Sequence, residues 1–151
     1  MKPTIYRPSL TIALAAMLGA CSNPTEVSVA APSVSFNVGE GSAVPAGQPI
    51  LPLIPQLRVG EGQIDVLGHF RTSTPCWSLA SQVVQAGGVI TLTVTAEAAA
   101  VNACSQVITV RPYEARIAPL AAGAYTVRVV HQLAGGKDKP ELVLEQRVDV
   151  K

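Results

Sequence analysis

From Leu57 to the C-terminus, apolar and polar residues alternate with a period of two, and Gly- or Pro-bearing turns interrupt them about every 8–12 residues. A period of two sends successive side chains to opposite faces of a strand, whereas a helix face recurs at 3.6. Ile64, Val66 and Phe70 alternate with Gln63, Asp65, Leu67, His69 and Arg71. Gly87-Gly88 separates Cys76–Ala86 from Val89–Ala96, where Ile90, Leu92 and Val94 alternate with Thr91, Thr93 and Thr95. Gly-Gly supplies the positive φ of a primed turn, so this is a hairpin signal. Cys104–Ala118 is a further extended stretch, with Val107, Ile108, Val110, Tyr113 and Ile117 apolar and Pro112 marking a bend or an edge. Tyr125, Val127 and Val129 follow, and then Leu142, Leu144, Val148 and Val150, with Glu141, Glu145, Arg147 and Asp149 on the other face. Six or seven such strands in about 95 residues predict an all-β antiparallel sandwich or barrel.

Leu120-Ala121-Ala122-Gly123-Ala124-Tyr125-Thr126-Val127 resembles the tyrosine corner of immunoglobulin-like and fibronectin type III domains. The resemblance implies an antiparallel immunoglobulin-like β-sandwich with Leu120, Gly123 and Tyr125 in the corner. It implies that Ala124–Leu133 is the penultimate strand and Glu141–Val150 the last, and that the Tyr125 hydroxyl bonds to the chain a few residues upstream. The cysteines depart from the antibody pattern. Cys76 and Cys104 flank the hairpin, and neither follows Tyr125 by two residues. The stretch from Cys76 to Tyr125 is also similar to short bacterial lipoproteins with two Cys and a Gly-x-Tyr-x-Val ending, a likeness that carries no activity.

The N-terminus reads as an address. Lys2 and Arg7 form a positive n-region, residues 9–18 an apolar core, and small residues precede Cys21. The apolar run is about ten residues, short of the roughly 20 that span a bilayer. Leu18-Gly19-Ala20-Cys21 resembles the lipobox of bacterial lipoproteins. The resemblance implies a signal peptide over 1–20, cleavage before Cys21, a diacylglycerol thioether on its sulfur and acylation of its amino group. A plain signal peptide cut near Ala20, leaving Cys21 an idle thiol, is the alternative. Several acyl chains anchor stably, because each buried methylene contributes about 0.8 kcal/mol. Ser22 stands where enterobacterial lipoproteins kept at the inner membrane carry Asp, so the family rule implies the outer membrane of the bacterial envelope.

With Cys21 assigned to lipid, Cys76 and Cys104 remain in an oxidising compartment, and an even remainder there reads as one disulfide. Closing a loop of about 27 residues contributes roughly 3–4 kcal/mol on the chain-entropy account. A metal pair lacks support, since neither Cys has a His or another Cys at ligand spacing.

Residues 22–55 hold six of the 12 prolines and read as a Pro/Gly/Ser-rich tether. Within it, Val34, Phe36 and Val38 alternate with Ser33, Ser35 and Asn37, so residues 33–38 are either an edge strand or loosely ordered chain. Ile50–Ile54 is expected to pack onto the domain. The organisation is then signal peptide 1–20, lipidated tether 21–55 and β-domain 56–151.

Chemistry is sparse. A formal charge of +1, without a Lys/Arg cluster, excludes the footprint of a nucleic-acid binder. Loss of Lys2 and Arg7 on export leaves nine Lys/Arg against ten Asp/Glu. His69 and His131 read as surface and core-rim residues, without zinc spacing. Gly-x-Ser-x-Gly is absent, and Gly39-Glu40-Gly41 and Gly60-Glu61-Gly62 lack the helix that a phosphate loop needs. No catalytic residue, metal or cofactor is expected. The candidate binding surface is Arg71, Thr72, Ser73 and Thr74 beside Cys76, with Trp77; the other reading makes the bridge a strand tie and Trp77 a core anchor. The expected function is a lipid-anchored, non-enzymatic envelope protein, structural or interacting with another envelope protein. The alternative is an inhibitor or ligand-binding lipoprotein acting through the loops at the disulfide.

Overall fold

β-Branched residues at every second position form strands wherever one face meets a core. The computed structural model describes residues 30–49, 52–101, 103–135 and 139–151, and these contain nine strands and no helix. The expected signal peptide and lipidation site, residues 1–20 and Cys21, and Ser22 lie outside the described residues. The strands are β1 (Ser33–Val38), β2 (Ser42–Ala43), β3 (Gln56–Gly60), β4 (Gln63–Thr72), β5 (Trp77–Ala86), β6 (Val89–Ala98), β7 (Thr109–Ala118), β8 (Gly123–Leu133) and β9 (Glu141–Val150). One sheet has the order β1-β7-β4-β3, with β2 also on β7; the other has the order β5-β6-β8-β9.

The fold is the expected all-β sandwich. Ile64, Val66 and Phe70 of β4 and Tyr113, Ala115 and Ile117 of β7 face Ile90, Leu92, Val94 and Ala96 of β6 and Val127 and Val129 of β8 across one core. Two features differ from the sequence reading. There are nine strands rather than six or seven, and β6 pairs with β8 in parallel (Val89↔Thr126 to Ala96↔Leu133). Parallel neighbours need a long crossover. Here the chain leaves β6, runs through β7 in the other sheet and returns, so two crossings restore its direction. Periodicity reveals which face a strand buries, but not which strand lies beside it.

The extra strands come from the segment read as tether. β1 pairs with β7 along its whole length, from Ser33↔Ala118 to Val38↔Tyr113. Of the two readings of residues 33–38, the edge strand is the one observed. Ile54, expected to pack onto the domain, is instead 66% exposed. Prolines at 52 and 55 hold this stretch out of the ladder, because they offer no N–H to a neighbour. Ile50 and Leu51 lie outside the described residues.

Pro112 also departs from the expectation. It lies in a central strand, between β1 and β4, rather than at an edge or bend. Its carbonyl accepts from the Gly39 amide at 2.9 Å, so its missing N–H would have pointed to the same side. On that side β1 has just ended and β2 has not begun. A Cβ on Gly39 would come within 2.8 Å of Pro112 Cγ. The interruption of the neighbouring strand is what admits a proline there.

Candidate functional site

The two ends of the sandwich differ, and the chemistry gathers at the one away from Ser33. β3 covers β4 only as far as Gln56↔Leu67. Beyond Leu67, the rest of β4 keeps β7 on one side and, among the described residues, has no strand on the other. A cleft of about 630 Å³ opens there, between Leu53 and Ile54, the His69–Arg71 end of β4, and the facing ends of β8 and β9.

A β-bulge shapes the far wall. β8 pairs with β9 as Val129↔Leu144 and then Val130↔Leu142, so Val143 is the extra residue. The bulge reverses the parity of the strand end. Leu142, expected on the core face, turns out and is 53% exposed, while Val143 turns in and packs on the core. Leu142 and Ile54 thus form an apolar rim, with Arg71, Lys139 and Glu141 among the charged groups.

The floor is a polar–aromatic cluster. His131 faces inward at the end of β8 and stacks on Phe70, with ring centroids 4.6 Å apart. Its Nε2 lies 2.9 Å from the Tyr113 hydroxyl. With the ring proton on Nδ1, Tyr113 donates to Nε2. This bond links the two sheets, Tyr113 from β7 and His131 from β8. Phe36 of β1 lies against the other side of Tyr113 at 5.7 Å. Gly68 makes room for the arrangement. It is paired with Tyr113 across the strands, and a Cβ there would overlap the phenol ring. Burial pushes the Tyr113 phenol above its usual range and pulls His131 down to about 4. Both are therefore neutral near pH 7. The pair is a satisfied, uncharged hydrogen bond.

The candidate surface named from the sequence is split by strand parity. Arg71 points outward into the cleft, and Ser73 is exposed. Thr72 belongs to the buried face, at 4% exposure, and its hydroxyl donates to the Thr74 carbonyl at 2.7 Å. Thr74 is half-buried, and Trp77 packs against the core, as a core anchor does. Cys76 and Cys104 form the disulfide, with Cα atoms 6.0 Å apart. The loop before it is pinned further by Arg111, whose Nη2 donates to the Pro75 carbonyl at 2.8 Å, and by the Ala99 amide on the Cys76 carbonyl. Arg111 Nε is buried without a partner.

At the opposite end the Tyr125 hydroxyl donates to the Ala121 carbonyl at 2.9 Å, Leu120 is buried, and Gly123 enters β8. His69 is exposed on the outer face of β4. Sequence reasoning missed Tyr113, Gly68, Glu141 and Leu142. Gly68 was the available signal, because a glycine on the apolar face of an alternating strand marks a close approach. No group of three metal-ligating side chains occurs among the described residues. No protein-family model matches this chain, and no curated protein or solved structure matches it either.

Proposed function

We propose that this protein is a lipid-anchored, non-enzymatic component of the bacterial envelope, on the outer membrane, whose sandwich presents an interaction surface to another envelope protein. The observation that carries the reading is the polarity of the sandwich. Ser33 enters at the end that holds Ala118, Gly62 and the Tyr125 corner, and the cleft and the disulfide loops lie at the other end. Ser33 follows Cys21 by only twelve positions. Twelve residues reach at most about 40 Å. An acylated Cys21 would keep the corner end near the lipid and turn the cleft away from it. The disulfide agrees with export, since such bonds persist in oxidising compartments.

Cys21→Ala tests the anchor. The wild-type chain should carry an acylated mass and show globomycin-sensitive processing, and the variant should lose both. An unchanged mass in the variant would refute the lipid anchor.

A further inference from the structure

The register of the first sheet fixes which backbone groups face the cleft. The Pro112 carbonyl is turned toward β1 and β2, so Thr109, Arg111 and Tyr113 direct theirs at β4. Their partners Thr72, Phe70 and Gly68 are thereby occupied. Alternation then sends the N–H and C=O of His69 and Arg71 the other way, toward the edge that β3 leaves bare. Two donors and two acceptors stand there in strand spacing, beside a cleft wide enough for a chain. The protein's own nearest segment cannot complete the ladder. Continuing the β3 register would set Pro52 opposite Arg71, and Pro52 has no N–H.

We propose that an extended segment of a partner protein adds to β4 as an antiparallel strand at His69–Arg71, and that it carries an acidic residue next to an apolar one. The register dictates that pattern. A residue exchanging both bonds with Arg71 puts its side chain on the outer face, beside the guanidinium, where a carboxylate forms a cross-strand ion pair. The next residue lies opposite Phe70 and turns inward, toward Phe70, Leu133 and Val143, where an apolar side chain packs best. The residue after that exchanges bonds with His69 and is unrestricted. Arg71 and Lys139 outnumber Glu141 around the cleft, which favours the acidic partner. Main-chain bonds supply affinity and the alternating side chains supply selectivity, as in other cases of strand addition.

This inference rests on reading the sandwich as an interaction module, but not on the lipid. The test uses the full chain purified in detergent and a fluorescein-labelled heptapeptide of alternating Thr and Val with Glu at its third position. Anisotropy should report saturable binding. Replacing Glu by Lys should weaken it at least tenfold. N-methylation of the two residues that face His69 and Arg71 keeps every side chain and should abolish it. The His69→Pro variant removes a donor that β7 does not use, and it should bind at least tenfold more weakly. Equal binding of the N-methylated peptide, or no binding of the parent, overturns the proposal. So does slow amide exchange at His69 and Arg71 without peptide, because the edge would then already be closed by the chain itself or by a second copy. The Cys21→Ala protein should bind the peptide like wild type, so failure of the anchor and failure of the docking edge read out separately.

Discussion

Tyr125 and Tyr113 both bury a ring in the same core, and each sends its hydroxyl to one partner. Tyr125 reaches a backbone carbonyl four residues back, on its own connection. Tyr113 reaches His131 across the core, on the other sheet. The ends they serve are built accordingly. Around Tyr125 the main chain closes itself: Leu120 donates to the Gly62 carbonyl at 2.8 Å, and Gly62 to that of Lys151 at 3.1 Å. Around Tyr113 and beyond it, an inter-sheet side-chain pair, Arg111 and a disulfide hold what the backbone leaves open. An end closed by main-chain bonds resists single substitutions. An end held by side chains concentrates its stability in few residues, and it leaves a strand edge free.

The largest expected effect tests that concentration. Replacing Cys76 and Cys104 by Ser should lower stability by about 3 kcal/mol in a denaturant titration. Amide exchange should speed up first at Ala99, which bonds the Cys76 carbonyl, while the Leu120 amide keeps its protection. Equal acceleration at both ends would break the comparison.

Gly68→Ala should cost about 2–3 kcal/mol, because the added methyl overlaps the Tyr113 ring in a packed core and must displace it. Gly88→Ala, near the Tyr125 end, meets only the Ala124 carbonyl at 3.5 Å and should change stability by less than about 0.5 kcal/mol. Similar losses in the two variants would show that glycine itself matters, not the approach of Tyr113.

Legibility in the sequence followed the same divide. The Tyr125 bond spans four residues, so a local motif could announce it. The disulfide followed from counting cysteines. Alternation identified the inward faces of β4, β6 and β8, because each holds one parity along its length. It misjudged β9, where the bulge at Val143 exchanges the faces midway. It also misjudged the start of β7. Val107 and Ile108 look like core residues, yet both lie outside the strand and are exposed, and Thr109 takes the buried position. The parity there is imposed from Tyr113, Ala115 and Ile117 further on. The cleft was illegible for a deeper reason. It depends on where β3 stops beside β4, on the parallel pairing of β6 with β8, and on a contact between residues 18 apart in different sheets. None of these leaves a local periodicity.

His131 offers a pH test confined to the open end. Its folded pKa of about 4 lies below the unfolded value near 6.5. Between these values the unfolded chain binds the extra proton, so stability rises with pH. The contribution is complete above about pH 6.5 and is lost as pH falls through that value toward 4. Solvent reaches part of the ring, which reduces the loss to about 1–2 kcal/mol. Denaturant midpoints at pH 7, 5.5 and 4.5 should fall more steeply for wild type than for His131→Gln. Parallel slopes would remove His131 from the account.

The smallest effect separates the two tyrosines directly. Tyr125→Phe removes a hydroxyl from a carbonyl in an exposed turn, where water can take its place, so the expected loss is about 1 kcal/mol or less. Tyr113→Phe removes the same atom but leaves Nε2 of a largely buried His131 unpaired, and the unmet partner raises the loss to about 2 kcal/mol. Phe fits both sites without its hydroxyl, so packing changes little in either variant, and the difference between them reports what each partner loses. A second readout follows from the linkage: without the Tyr113 hydroxyl the pKa of His131 should move, and the steep segment between pH 6.5 and 4 should shift with it. Tyr125→Phe should leave that segment in place. If the two variants lose equal stability and keep the same pH profile, the open end depends on its polar pair no more than the closed end depends on its corner.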